Sequence, residues 1–388
     1  MTKESETNDE ERKNQIRSLI EENRKLVYDF GAKLVSDLPE VPDFYTFSGG
    51  LMYSHRDFDA FLQGLKSGKR SAIVSGFNAS SSPHVAHLAV FDTNRFFQEK
   101  YGIDVYIPIS DDESYVAGKV KDQETGLRNA LLITRSLAAL GFSPSKTRIV
   151  IDQLYTNIYN LSFRISRYIT QSTVRATYGY QGEHNIGLQF YPSVQSAHIY
   201  LPNLFGIDNI LVPIGPDEDA HLRVCRDVAD NLGYRRPAVL HSRFLPGMDG
   251  FKMSKSMRNN AIMLSDSDKE LKKRIGMAFS GGQVSVEEHR KLGGDPEIDV
   301  SFLYLKYYFL TPGEAEEISE RYRAGKMLSG EMKALLTEKL LDRIHRFKTS
   351  YDKVTEKQMA RMIMANDDID IEKIVRPENY MPSEYLKK

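Results

Sequence analysis

Hydrophobic positions along the chain follow two periods, and the changeovers outline its organisation. Ile16, Leu19, Ile20, Leu26, Val27 and Phe30 recur at helical spacing and predict an amphipathic packing helix. The polar residues 1–15 before it carry no such pattern and read as a frayed end. Five short apolar runs then predict buried strands: 72–75, 105–109, 148–151, 210–214 and 238–241. Each adjoins a helical pattern, and parallel strands buried on both faces read as continuous apolar runs. This alternation predicts an open parallel α/β sheet, with ligand chemistry in the loops after Ser75, Ile109, Ile214 and His241. Residues 118–205, rich in Tyr, Ser, Gln and Arg, read as a mainly helical insertion between the two halves of the sheet.

Beyond residue 265 the strand signal stops. Ser267 to Glu270 and Thr311 to Glu314 both fit a capping box, the second with Pro312 at the first helical position. Helical patterns continue to about residue 365, and the end, with Pro377 and Pro382, reads as a tail. The division expected is an N-terminal tail and helix (1–30), an α/β domain (31–265) carrying the insertion, and an all-α domain (266–388). A length of 388 residues suits two or three domains at ~100–200 residues each.

Charge and cysteine content narrow the partners. The 52 basic and 53 acidic residues leave a net charge of −1, so any nucleic acid must be held by a local basic surface. Cys225 is the one cysteine, which allows no intrachain disulfide and no cysteine zinc cluster. No apolar run approaches the ~18 residues of a membrane span, and the opening MTKESETNDEERKNQ has no secretory pattern. A cytoplasmic protein without a membrane partner is expected.

Two motifs carry chemistry. Lys252-Met253-Ser254-Lys255-Ser256 follows Gly250-Phe251, just after the last predicted strand. Two lysines three apart on a glycine-flanked loop can act as mobile point charges on a polyphosphate and stabilise charge as it develops. An ordinary solvated basic loop is the alternative for an isolated K-x-S-K. The second motif is His84-Val85-Ala86-His87, after the first strand and at a predicted helix start. Two imidazoles there, with the helix dipole, suit a phosphate. Most isolated H-x-x-H pairs have no such role, and zinc would need more ligands than two histidines supply. No site residue is assigned to a metal.

KMSKS is letter for letter the signature loop of the class I aminoacyl-tRNA synthetases, and residues 84–87 hold the place of that family's H-I-G-H element. Within the family the chain resembles the tryptophanyl enzymes of archaeal and eukaryotic type. The resemblance is carried by SGGLMYSHRDFDAFL (48–62), SDDESY (110–115), DEDAHLRVCRDVADNLGY (217–234), AFSGGQVSVEEHRKLGGDPEIDVSFLYLKYYF (278–309) and RAGKMLSGEMKALL (323–336). It is collinear over about residues 45–350 and includes stretches without catalytic motifs.

The resemblance implies a Rossmann-like catalytic sheet with a helical connecting insertion, followed by an anticodon-binding helical domain. It implies Mg-ATP-dependent activation of an amino acid, tryptophan, and its transfer to tRNA(Trp). By position, the resemblance puts Gly76, Ser80, His84, His87, Asp217 and Lys252 to Ser256 (with Met253, Ser254 and Lys255) at ATP. Catalysis would fall to His84, His87, Lys252, Ser254 and Lys255; Val74, Glu113, Gln195 and Glu218 would face the amino acid, with Glu113 and Gln195 at its ammonium. The sequence departs from the family in this pocket. Val74 and Pro108 stand where the family has hydrogen-bonding tyrosine and glutamine, Ala86 replaces a glycine, and Asp217-Glu218-Asp219 replaces D-Q-D. Tyrosine, the rival substrate, is disfavoured by His198 at the place of a phenol-binding aspartate. A ligase with altered amino-acid choice and a non-catalytic synthetase-like protein are the alternative readings. The resemblance further implies a homodimer through the insertion, and tRNA contacts from C-terminal basic residues including Lys272, Lys273, Arg274, Arg321, Arg343 and Arg346.

Overall fold

The structure is a computed structural model that describes residues 3–80, 83–251 and 260–366. Its centre is one eight-stranded sheet: β1 (Lys33–Leu34), β2 (Met52–Arg56), β3 (Ser71–Val74), β4 (Phe77–Asn78), β5 (Asp104–Ser110), β6 (Thr147–Ile151), β7 (Asn209–Ile214) and β8 (Ala238–Ser242). The order is β1-β2-β8-β7-β3-β5-β4, with β6 also paired to β5. All five predicted runs are strands, in β3, β5, β6, β7 and β8, and their pairings are parallel. Alternate side chains enter opposite layers. Ile73, Val105, Ile107, Ile149 and Leu211 meet helices 58–66, 85–101 and 123–139 on one face. Ala72, Val74, Tyr106, Val150 and Val212 meet helices 158–166, 186–200 and 219–227 on the other.

The antiparallel extension β1–β2 carries no apolar-run signal. Ser54 and His55 are buried in β2, yet both are satisfied by bonds. Ser54 Oγ meets His241 Nδ1 at 2.9 Å, and the Phe58 N–H donates to His55 Nδ1 at 3.2 Å. Arg56 donates Nε and Nη2 to both oxygens of Asp219 at 2.7 and 2.8 Å. Buried polar groups with partners do not disturb a core, so β2 is a strand without reading as one.

The N-terminal helix runs Lys3–Tyr28, well upstream of its apolar stripe. Glu, Lys, Arg and Gln are good helix formers, so a polar first half can continue a helix anchored elsewhere. The anchor is Ile16, buried with Leu51, Phe279 and Leu303 in the C-terminal core. Phe30 lies beyond the helix and is about half exposed, under the Arg223 guanidinium.

Within 118–205, β6 is a full member of the main sheet, reached through the crossover helix Gln123–Ala139. The helical insertion itself is narrower: Ile158–Ser166, Gln171–Tyr178 and Ile186–Tyr200. Both predicted capping boxes form, at Ser267/Glu270 and Thr311/Glu314. The C-terminal helices do not stand apart from the sheet. Arg343 Nη2 donates to both oxygens of Asp92 on the helix Val85–Tyr101, at 2.6 and 2.8 Å. After the helix Glu356–Met362 the chain returns to the sheet, where the Met364 N–H donates to the Ile149 carbonyl at 2.8 Å.

Candidate active site

The carboxyl ends of β3, β5 and β7 open into a cavity of about 540 Å³, the place where open α/β sheets hold ligands. One wall is apolar, formed by Val74, Pro108, Val212, Ile199 and Leu222. Polar groups and open backbone gather elsewhere around it: Gly76, Asn78, His87, Glu113, Tyr178, Gln195, His198, Glu218 and His221. Six of the residues assigned from sequence therefore meet in one space: Val74, Gly76, His87, Glu113, Gln195 and Glu218. Asp217 neighbours it in the turn Pro216–Glu218 that follows β7. Lys252, Met253, Ser254, Lys255 and Ser256 lie in 252–259, outside the described residues.

His84 is the N-cap of the helix Val85–Tyr101, and its ring lies against that of His87, tilted by 37° with 3.7 Å between centroids. The His84 N–H donates to His87 Nδ1 at 3.2 Å. In a neutral imidazole this fixes the proton on Nε2, so His87 presents a donor nitrogen beside the first turn of a 17-residue helix. That end of a helix attracts anions. Ser80 adds to it: its N–H donates to Asn78 Oδ1 at 3.1 Å, and its hydroxyl is buried without a hydrogen-bond partner among the described residues. Gly76 keeps the opposite backbone wall open, with Pro108 as its nearest neighbour at 3.8 Å from an added Cβ. Ala86 turns its carbonyl to the Tyr308 hydroxyl at 3.3 Å, which ties this helix start to the C-terminal helices.

The residues assigned to the amino acid are engaged with one another. Glu113 is buried and accepts from Asn78 Nδ2 and Lys119 Nζ. Gln195 accepts from the Tyr178 hydroxyl at 2.9 Å and donates to Glu218 at 3.2 Å. Glu218 also meets His221 Nδ1 at 3.0 Å, and the His221 ring stacks on Tyr178 at 4.0 Å. Burial pushes the Tyr178 phenol well above its ordinary pKa, so it stays a donor to Gln195. Lys119, Tyr178 and His221 carried no signal in the sequence, because the groups that give them a role are distant along the chain.

Beneath this layer is a buried acidic group. Asp111, Asp112 and Asp152 place oxygens within 4.8 Å of one another. Asp111 accepts from the Asp152 N–H at 3.0 Å and Gln153 at 2.6 Å. Asp112 accepts from the Glu113 N–H at 2.6 Å and the Tyr159 hydroxyl at 3.2 Å. Asp152 Oδ1 meets His198 Nε2 at 2.7 Å. Desolvation raises all three carboxyls, Asp152 to about 8, and lowers the His198 imidazole to about 4.

Comparison with known proteins agrees with this geometry. The family model described as tRNA synthetases class I (W and Y) matches residues 66–344. The tryptophan–tRNA ligase of Saccharolobus solfataricus is 40% identical over 295 residues, 75% of this chain and 77% of that protein. The cytoplasmic tryptophan–tRNA ligase of Saccharomyces cerevisiae is 34% identical over 378 residues, 91% of this chain and 87% of that protein. A crystal structure of a tryptophanyl-tRNA synthetase from Encephalitozoon cuniculi bound to tryptophan superposes with a TM-score of 0.79 at 26% identity, covering 88% of this chain and 97% of that one. A sheet-end cavity, a histidine-capped helix at its mouth and these matches over most of the chain have one reading: it belongs to the class I tRNA synthetases of the tryptophanyl and tyrosyl (W and Y) family.

Proposed function

We propose that the chain is a cytoplasmic tryptophan–tRNA ligase. The tryptophan carboxylate attacks the α-phosphate of ATP, pyrophosphate leaves, and the aminoacyl group passes from the adenylate to tRNA(Trp). The observation that carries this reading is the cavity itself, which gathers Gly76 and His87 beside Glu113, Gln195 and Glu218 in a chain so similar to tryptophan–tRNA ligases. The protein's part is positioning and electrostatics. The N-terminal end of the helix Val85–Tyr101, with the His87 Nε2–H and the Ser80 hydroxyl, suits the phosphates. Lys252 and Lys255 would neutralise the leaving pyrophosphate, with Ser254 ordering their loop. Glu113 would receive the substrate ammonium once Lys119 yields its place.

Mg²⁺ would arrive on the triphosphate. The carboxylates of Asp111, Asp112 and Asp152 do not fit as its site, since donors already occupy Asp111, Asp112 and one oxygen of Asp152, and burial favours their protonated forms. The insertion helices suit a homodimer contact, because they expose Phe163 and Ile186, and the Phe163 ring packs on Phe190 at 5.1 Å. The tRNA would meet the C-terminal helices through basic residues not spent on structure. Arg343 and Arg274 are spent, on Asp92 and Asp266. No described helix is long and apolar enough to cross a membrane.

The deciding experiment is amino-acid-dependent ATP–pyrophosphate exchange with tryptophan and tyrosine in parallel, with Lys255→Ala as control. Exchange with tryptophan alone, abolished in the control, is the expected result. Exchange with tyrosine alone would overturn the substrate, and none with either would overturn the activity.

A further inference from the structure

The apolar wall of the cavity poses a problem of hydrogen bonding. An indole ring brings one donor, its N–H, and leaving a buried donor unsatisfied costs about 1–3 kcal/mol. Val74 and Pro108 offer no side-chain acceptor. Among the polar groups nearby, Ser110 and Tyr191 bond each other at 2.8 Å, and the Gln195 carbonyl holds Tyr178.

His198 is different. It lines the cavity from the helix Ile186–Tyr200, one turn beyond Gln195. Its Nε2 is fixed on Asp152 Oδ1 at 2.7 Å, while its Nδ1 makes no hydrogen bond among the described residues and its side chain lines the cavity. The proton count beneath it sets the tautomer. Asp152 Oδ2 is buried with no hydrogen-bond partner among the described residues, and the Asp112 and Asp152 carboxyls bring oxygens within 4.8 Å of each other. One proton between these two carboxyls satisfies Oδ2, whichever residue formally holds it. Asp152 Oδ1 is then an acceptor, Nε2 carries the imidazole proton, and Nδ1 is left with a lone pair. Desolvation supports this arrangement, since it keeps the imidazole neutral and favours a shared carboxyl proton.

We propose that His198 determines substrate specificity, its Nδ1 accepting the ring N–H of tryptophan, with Asp152 as the residue that positions it. The inference rests on the tryptophan–tRNA ligase reading and names the group that selects the side chain. An acceptor held this way discriminates strongly against an analogue with no donor, because Nδ1 would be left unpaired.

The test compares tryptophan with β-(benzothien-3-yl)alanine, in which sulfur replaces the ring N–H, by pyrophosphate exchange on the full-length protein. The wild type should prefer tryptophan by roughly 10- to 100-fold in kcat/KM. His198→Gln, which places its amide at the Nε2 position, should lose most of that preference through KM. His198→Asn, which places a carbonyl near Nδ1, should retain more of it. A direct readout needs no variant: in ¹⁵N-histidine-labelled protein, the bare Nδ1 resonance of His198 should move upfield when tryptophan binds and stay in place with the analogue. Wild type that activates tryptophan without this preference, an unmoved Nδ1 resonance, or undiminished preference in folded His198→Gln would each overturn the assignment while leaving the ligase reading intact. No exchange with tryptophan would overturn both.

Discussion

Asp219 is the point at which the fold and the site depend on one ion pair. Its side chain is 2% exposed and that of Arg56 is 14% exposed, and they form two bonds of 2.7 and 2.8 Å across the end of the sheet. Removing one partner of a buried pair costs about 3–5 kcal/mol, because the other is left charged and uncompensated. Here Asp219 keeps His241 Nε2 at 3.1 Å and Arg223 Nε at 3.3 Å, so Arg56→Met belongs at the lower end, about 3 kcal/mol. Asp219→Asn should cost about the same, and the double variant only about 3–4 kcal/mol, a coupling of about 2–3 kcal/mol. Urea unfolding followed by far-ultraviolet circular dichroism at pH 7 measures all four corners of the cycle. The pair also has an acid signature. Burial alone would push the Asp219 carboxyl up, but hydrogen bonds from His241 and Arg56 and their charges outweigh it and hold it well below the usual carboxylate range. Its contribution is therefore complete above the unfolded-chain value of about 3.9 and is lost as the pH falls through the lower folded value. Additive single losses, with coupling below about 0.5 kcal/mol, would refute the reasoning and mean that water compensates each charge separately.

Two further predictions concern the site and the C-terminal helices. Glu113→Gln keeps the side chain's shape and removes the charge proposed to meet the substrate ammonium, so KM for tryptophan should rise about 10- to 100-fold with a smaller change in kcat; an unchanged KM would mean that Lys119 keeps Glu113 in the complex. Gly293 has φ of +73°, and a Cβ there would lie 1.8 Å from the Arg323 carbonyl oxygen, so Gly293→Ala should destabilise by about 3 kcal/mol or more, and an unaltered thermal melt would refute this.

What the sequence reveals depends on whether a residue's reason for being there is local. Strands β3, β5, β6, β7 and β8 are legible because burial on both faces demands an apolar run. The capping boxes at Ser267 and Thr311 are legible because donor and acceptor lie three residues apart. Strand β2 is not, because Ser54 and Arg56 are made compatible with burial by His241 and Asp219, far along the chain. The same holds for the cavity. Glu113 and Gln195 can be placed by family resemblance, but Lys119, Tyr178 and His221 acquire roles only when strands and insertion helices converge. Asp152 could have been found, since it follows β6 at the sheet end where such folds hold their ligands. His198 reads from sequence only as a departure, and its tie to Asp152 spans 46 positions.

The pairings inside the cavity bear on how selection can work. Glu113 already holds Lys119, and Gln195 bridges Tyr178 and Glu218. At the ammonium site proposed for Glu113 and Gln195, a substrate would therefore exchange partners rather than fill vacancies, and an exchange of hydrogen bonds yields little net affinity. The apolar wall has no such competitor: ring burial against Val74, Pro108 and Val212 brings roughly 25 cal/mol per Å². Affinity should then come mainly from the ring, while polar groups decide which ring is accepted. A group suited to that decision must be rigid and uncommitted before binding. Tyr178 and Gln195 are committed to each other; His198 is anchored at one nitrogen and, among the described residues, unbonded at the other. Substitutions along the apolar wall should accordingly weaken tryptophan and its donor-less analogue alike, and only changes at His198 or Asp152 should alter the ratio between them.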